Sequence, residues 1–380
     1  MTQRSIICNI ASAVLAVVIS ACGGGGGSAT PNTPIAPAVQ PITVKKTSYE
    51  NKISAAFVTG SSPLPKEVSK GHAAAFADFF QTGEYSLVTH SADYDYKDRS
   101  TINVLGQIRF YKMQDGQWVE KTSDLLSDPV GCLSPRKAIV ADFNQDGKPD
   151  VFFACTGFDG DPFLGEKPLL LLSQGNGKYR KVIIPVTGFF HGASAADVNG
   201  DGYPDIVVTD FIAFNRPFFL INNKNETFTI DTSRLPNSVI GQQIFSAELI
   251  DFNGKGNIDL FLGGSEQSGT WPATILRNDG RGIFSNIPST ILPALSGYGY
   301  PLDIVFTGGN IYLNRTTDAV ENYYAGNAIQ RIEYATFRSS VIFSRGKINY
   351  KPGVAWIDWI IPYGGNIVSM DSVYGLSVPQ

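Results

Sequence analysis

The chain has 380 residues, 43% hydrophobic and 17% charged, with a formal net charge of -4. That length and apolar content allow a sizeable core, while the mild acidity and the lack of any basic cluster argue against a nucleic-acid surface. Glycine (39) and proline (22) together exceed their usual share, which suits a chain with many turns.

Met1–Ala21 carries one basic residue, Arg4, and then an apolar stretch from Ile6 to Ile19. It is short for a membrane span and reads as a secretory signal. Its end, Ile19-Ser20-Ala21-Cys22-Gly23, resembles the bacterial lipoprotein processing box, which implies that Cys22 is lipidated. By resemblance to the sorting pattern of Gram-negative lipoproteins, the absence of Asp at position 23 leans toward the outer membrane, with contact to the bilayer through the lipid anchor only. Residues 22–47 are rich in Gly, Pro, Ser and Thr without periodicity and read as a flexible tether. The folded body is expected over residues 48–380.

Within that body, runs such as AIVADF, DVFFAC, PLLLLSQG, DIVVTD and PFFLINN alternate with Gly, Asn, Asp and Pro punctuation. Their length and the missing 3.6-residue stripe predict strands. One stretch punctuates them with regularity: Asp142-Phe-Asn144-Gln-Asp146-Gly147-Lys148-Pro-Asp150. It returns as Asp197-Val-Asn199-Gly-Asp201-Gly202-Tyr203-Pro-Asp205, and in worn form as Asp251-Phe-Asn253-Gly-Lys255-Gly256-Asn-Ile-Asp259. The first acids lie 55 and 54 positions apart. Oxygen side chains at positions 1, 3, 5 and 9 around a glycine at 6 suit a hard cation. The glutamate that a helical calcium loop needs at position 12 is replaced by Phe153, Val208 and Leu262, so the turns read as strand–loop–strand.

Each unit holds about four short antiparallel strands, the last pair joined by Asn-Gly, Asn-Lys or Asp-Gly corners. Such a sheet needs neighbours on both faces, and radial repetition supplies them. Fainter copies begin at Asp78 and at Pro301-Leu-Asp303, the latter keeping only the ninth aspartate and its strand. Trp356-Ile-Asp358-Trp359 reads as an inner strand of one more unit. The expectation is all-β: a single β-propeller of six four-stranded antiparallel blades, with seven left open. The terminal blade is shared between N- and C-terminal strands, which would leave no exposed edge.

The D-x-N-x-D-G-x-x-D loops, with the apolar strand and terminal N-x-G-x-F that follow, resemble the FG-GAP or VCBS repeat of integrin-type propellers. The resemblance implies calcium in two loops: Asp142, Asn144, Asp146 and Asp150 with the Lys148 carbonyl, and Asp197, Asn199, Asp201 and Asp205 with the Tyr203 carbonyl. About two structural Ca2+ ions are expected. In the third loop Lys255 is expected to bridge to Asp251 or Asp259 instead, and the Asp78 loop is expected to be metal-free.

Cys132 and Cys155 flank a strand–loop–strand whose antiparallel pairing would bring them together, so a disulfide is expected. His72, His90 and His191 form no ligand spacing, although His72 and His191 occupy equivalent places before an inner strand. Asp159, Asp161 and Glu166 make an acidic loop outside the repeat, and Trp356, Trp359 and Tyr363 offer a second candidate surface. No nucleophile elbow, zinc-protease motif or phosphate loop is present. The functional expectation is a non-catalytic, calcium-stabilised envelope scaffold presenting a propeller face to a protein or glycan. The alternative is a polysaccharide lyase or hydrolase with acids in the central groove.

Overall fold

A computed structural model of the chain describes residues 71–377, apart from 96, 211, 267–268, 318–325, 346–356, 364–365 and 372–374. The expected signal, Cys22 and tether, and Trp356, lie outside the described residues. The chain divides between residues 43 and 44, and every described residue belongs to the C-terminal unit.

Blade 1 contains β1 (Gly71–Ala77), β2 (Ser86–Ser91), β3 (Ile108–Gln114) and β4 (Gln117–Glu120). Blade 2 contains β5 (Pro135–Ala141), β6 (Asp150–Cys155), β7 (Leu169–Ser173) and β8 (Tyr179–Ile183). Blade 3 contains β9 (Phe190–Ala196), β10 (Asp205–Asp210), β11 (Phe218–Asn222) and β12 (Phe228–Asp231). Blade 4 contains β13 (Ile244–Ile250), β14 (Asp259–Gly264), β15 (Thr274–Leu276) and the two-residue β16 (Thr290–Ile291). Blade 5 contains β17 (Tyr300–Thr307), β18 (Asn310–Thr316), β19 (Asn327–Glu333) and β20 (Ser339–Arg345). A last sheet has β21 (Ile357–Tyr363), β22 (Asn366–Asp371) and β23 (Gly375–Ser377).

The propeller therefore has five four-stranded blades, not six or seven. Where a sixth blade is expected, the described residues hold a three-stranded sheet, β21-β22-β23, and the N-terminal strand expected to share it lies outside the described residues. Chain length divided by repeat length overcounts the four-stranded blades, because connections between strands take up part of the residue count. The Pro301-Leu-Asp303 reading also changes. Asp303 belongs to the first strand of its blade, and the turn that follows is only Gly308-Gly309. Asp303 is thus no ninth aspartate.

Strand chemistry follows position in the ring. The first strands of successive blades pack against one another around the axis, where space is smallest. They accordingly carry Ala73, Ala74 and Ala75 in β1 and Gly192, Ala193, Ser194 and Ala195 in β9. A Cβ on Gly192 would stand 2.5 Å from the Phe245 carbonyl oxygen, so this crossing admits only glycine. The second strands DVFFAC, DIVVTD and DLFLGG are buried at every residue, since a neighbouring blade covers each face. The cores lie between blades: Phe152, Leu170 and Leu172 meet Phe190, Ile206 and Phe218, for example. Burying such side chains stabilises by about 2 kcal/mol each.

Every first strand is bulged near its start. The register shifts between Gly71 and Ala73, Pro135 and Lys137, Ile244 and Ser246, Pro301 and Asp303, and Ile357 and Trp359. In blade 3 the shift lies opposite His191-Gly192. The expected equivalence of His72 and His191 holds: both occupy this bulge.

Candidate functional site

The acidic loops close one end of the ring. In all four, the first aspartate fastens the turn with both oxygens. Asp78 accepts from the amides of Thr82 (2.8 Å) and Gly83 (2.7 Å), and Asp142 from those of Asp146 (2.9 Å) and Gly147 (2.9 Å). Asp197 accepts from Asp201 (3.0 Å) and Gly202 (2.8 Å), and Asp251 from Lys255 (3.3 Å) and Gly256 (2.7 Å). The sixth-position glycines have φ of 82° to 93°, which a side chain would strain. The second residue of each loop, Phe79, Phe143, Val198 or Phe252, keys into the core shared with the next blade. This much of the motif closes the turn through its own backbone amides.

The ninth residue distinguishes the loops. In blade 1 it is the neutral Ser86, whose hydroxyl accepts the Phe79 amide at 3.1 Å. Asp150 accepts from the amides of Phe143 (2.8 Å) and Ser173 (2.7 Å), and burial, with the nearby Asp142 charge, pushes its pKa up to about 7. Asp205 accepts the Asn222 amide at 2.9 Å, while its fully buried Oδ2 has no hydrogen-bond partner among the described residues. Burial and the charges of Asp201 and Asp197 push Asp205 up to about 7 as well. Asp259 instead meets Arg277, with Nη1 2.6 Å from Oδ2. The expected bridge from Lys255 to Asp251 or Asp259 is not among the ion pairs of the described residues. Arg277 stands where Leu172 and Ile221 stand in the other two blades, one residue before the amide donor to the ninth aspartate.

The donor sets of the Asp142–Asp150 and Asp197–Asp205 loops fit a hard cation on their own chemistry. Each gathers three carboxylates and an amide oxygen, and their mutual repulsion at neutral pH is relieved by a positive ion. In loop two the unpartnered Asp205 Oδ2 faces that need directly. Lys224 lies 3.5 Å from Asp201 Oδ2 and supplies part of the balance there, from an exposed position.

A second set of charges lies on the axis. Lys137 of β5 pairs with Glu248 of β13 and, at 3.0 Å, with Asp303 of β17. Asp303 also accepts the Ile360 amide of β21 at 2.9 Å. Lys137 and Glu248 do not stand out in the sequence, and Asp303 reads there as a loop aspartate. A repeat alignment held the signal: Lys137 falls where the other blades have Ala73, Gly192 and Ser246, and Glu248 where they have Ala75, Ile139 and Ser194.

The other end of the ring is formed by the loops between second and third strands and by the connections between blades. Glu166 ties these together: both its oxygens lie 2.9 Å from the Leu133 amide, and its backbone bridges Gly188. Gly188 abuts Asp210, which caps the amides of Ile212 and Ala213. The Asn215 carbonyl then accepts the Gly241 amide. Asp159 pairs with Arg136, and Asp161 is exposed. The acidic loop is thus largely committed to holding this face together. Its tip is apolar, with Phe163 packed edge-on to Phe189 and Leu164 61% exposed. Val104, Leu105, Val130, Ile212 and Ile240 are also exposed on this end. The other exposed large hydrophobic residues, Ile183, Ile230, Ile287, Ile291 and Val341, lie on or beside outermost strands.

His90 and His191 hold structure. His90 is buried, with Nδ1 2.8 Å from the Ser91 carbonyl and Nε2 accepting the Cys132 amide at 2.9 Å. His191 packs against Phe245, and burial, then the Arg136 charge, depresses its pKa to about 3. Cys132 and Cys155 form the expected disulfide, with Cα atoms 6.4 Å apart. Together with Glu166 they place three candidate metal-ligand atoms within 4.8 Å of one another, but the sulfurs are bonded to each other and are not thiolates. Trp359 and Tyr363 lie on β21.

Two overlapping segments, 142–208 and 197–262, match the FG-GAP-like repeat model. Residues 142–262 are an FG-GAP-like repeat region. The FG-GAP-like segment takes in the third loop despite its Lys255. No curated protein is a significant sequence match. Among solved structures, the chain is similar to Sqt1 of Saccharomyces cerevisiae (10% identity, TM-score 0.43, 81% of this chain and 82% of that one). A protein from Lactobacillus plantarum (12%, 0.44, 82% and 84%) is similar to the same degree. So is SapL1, a lectin in complex with alpha methyl fucoside (11%, 0.43, 83% and 98%). Likeness at this level extends to neither ligand nor activity.

Proposed function

We propose that this protein is a non-catalytic, calcium-stabilised lipoprotein of the cell envelope that binds a partner through the propeller end opposite the FG-GAP-like loops. The observation that carries this reading is the segregation of exposed apolar side chains. Val104, Leu105, Val130, Phe163, Leu164, Ile212 and Ile240 share that end. Aliphatic groups of this kind favour a protein surface over a sugar. The belt through Glu166, Gly188, Asp210 and Asn215 orders the loops in advance, which lowers the entropy lost on binding. A glycan remains the second class of partner. Calcium is supported by the oxygen donor sets and by Asp205 Oδ2, and envelope anchoring, in the outer membrane, by the processing box that ends at Cys22. The test is affinity capture with the full-length chain beside Leu164→Asp and Val104→Asp variants. A partner held by the native chain and lost by both variants supports the reading; one held equally by all three rejects this face.

The enzyme alternative draws on Glu248 and Asp303, two carboxylates brought together on the axis. Both pair with the single Lys137 ammonium, which suits an ion-pair cluster better than an acid–base pair. Release of reducing or unsaturated ends from envelope polysaccharides, lost in Glu248→Gln, would favour the enzyme.

A further inference from the structure

The axial cluster joins parts of the chain that no sheet connects. Lys137 comes from blade 2, Glu248 from blade 4 and Asp303 from blade 5, and Asp303 reaches β21 through the Ile360 amide. Facing Glu248 are Lys137, Asp303 and the Ser194 hydroxyl of β9, and its cross-strand neighbour in β14 is the apolar Phe261. Arg136 and His191, nearer the loop face, are engaged with Asp159 and Phe245. With all three groups ionised, one ammonium balances two carboxylates, leaving a net negative charge where solvent reaches little. Glu248 and Asp303 then repel each other.

We propose that this cluster is a proton-operated clamp: when Glu248 takes up a proton, Asp303 is held more firmly by Lys137 and by the Ile360 amide, and the ring grips its last sheet more tightly. The carboxyl is placed to respond near neutrality. Burial first, and the Asp303 charge after it, push Glu248 up to about 7 against the pull of Lys137. Lys137 stays charged, because its two partners outweigh the effect of burial and raise its pKa. The Asp303–Ile360 hydrogen bond is the link to β21, and Ile360 and Ile367 pack against Val305, Tyr312 and Ile329 of blade 5. Loosening Asp303 therefore loosens that packing.

Hydrogen exchange at the Ile360 amide, corrected for intrinsic rate, tests the clamp in the full-length chain. Protection should fall about tenfold between roughly pH 6 and 8 in the native protein, and Glu248→Gln should stay protected across that range. A flat native profile, or an unchanged slope in Glu248→Gln, overturns the proposal. The Glu248 carboxyl resonance of the native protein gives a second readout that needs no variant. It should titrate in step with Ile360 protection, and titration in the ordinary glutamate range overturns the clamp as well.

Discussion

Arg277 places Nη1 2.6 Å from Oδ2 of Asp259, and so puts a guanidinium beside the ninth aspartate of the third acidic loop. The same aspartate in the first two loops, Asp150 or Asp205, has no such cation from its third strand. Beside Lys255 within the loop, the difference is therefore also written outside it, at the residue that follows β15 (Thr274–Leu276). Arg277→Leu, which copies the residue of blade 2, should strand a buried carboxylate and destabilise the protein by about 3 kcal/mol. Denaturant unfolding would read this, and an unchanged midpoint would mean that Asp259 finds another partner.

Chelation should act through the first two loops only. Removing calcium should lower the melting temperature, and Asp146→Ala should reproduce part of that loss because a bound ion stabilises the fold by linkage. Asp251→Asn should leave the chelator response intact. Equal melting curves with and without chelator would reject structural calcium.

Asp205→Asn separates charge from metal. Its buried Oδ2 has no hydrogen-bond partner among the described residues, and burial has already moved its pKa to about 7. Neutralising it should raise the melting temperature in chelator and shrink the rise that calcium produces. Isothermal titration should lose one of two binding events. Two events of unchanged affinity would exclude Asp205 as a ligand.

His191 should remain uncharged in the folded protein. Its folded pKa of about 3 lies below the unfolded value of 6.5, so the unfolded chain takes up the proton first. Its contribution to stability is whole above pH 6.5 and declines as the pH falls from there toward 3. Imidazole resonances that do not move between about pH 5 and 8 are the expected result; a midpoint near 6.5 would place the ring in solvent.

Serine at both Cys132 and Cys155 should cost roughly 3 kcal/mol, the chain-entropy value for a loop of this size. The connection before β5 would loosen first, since His90 and Glu166 hold the same short segment through the amides of Cys132 and Leu133. Cys22→Ser tests the anchor: the chain should leave the membrane fraction, and continued anchoring would refute lipidation at Cys22.

Local chemistry was legible along the chain because each part of it is short in range. The loop Asp142–Asp150 announces a tight turn through its spacing and its glycine, and the equivalence of His72 and His191 follows from repeat register alone. Cys132 and Cys155 could be paired because a single antiparallel hairpin separates them. The partner of Asp259 could not be read this way. Lys255 is nearer in sequence and has the right charge, but Arg277 approaches from just past the end of the third strand, where the pairing of β14 with β15 brings the chain back beside Asp259.

By itself the sequence determined the β class, the repeat, the turn chemistry and the disulfide, all of which depend on residues within one unit. Tertiary structure decided the five four-stranded blades with their three-stranded companion, because ring closure depends on how connections are spent between sheets. It also decided that Lys137, Glu248 and Asp303 share one axis and that the exposed apolar side chains of three blades share one face. Charges 111 and 166 positions apart meet only when inner strands are wound around a common centre, and no local pattern encodes that distance.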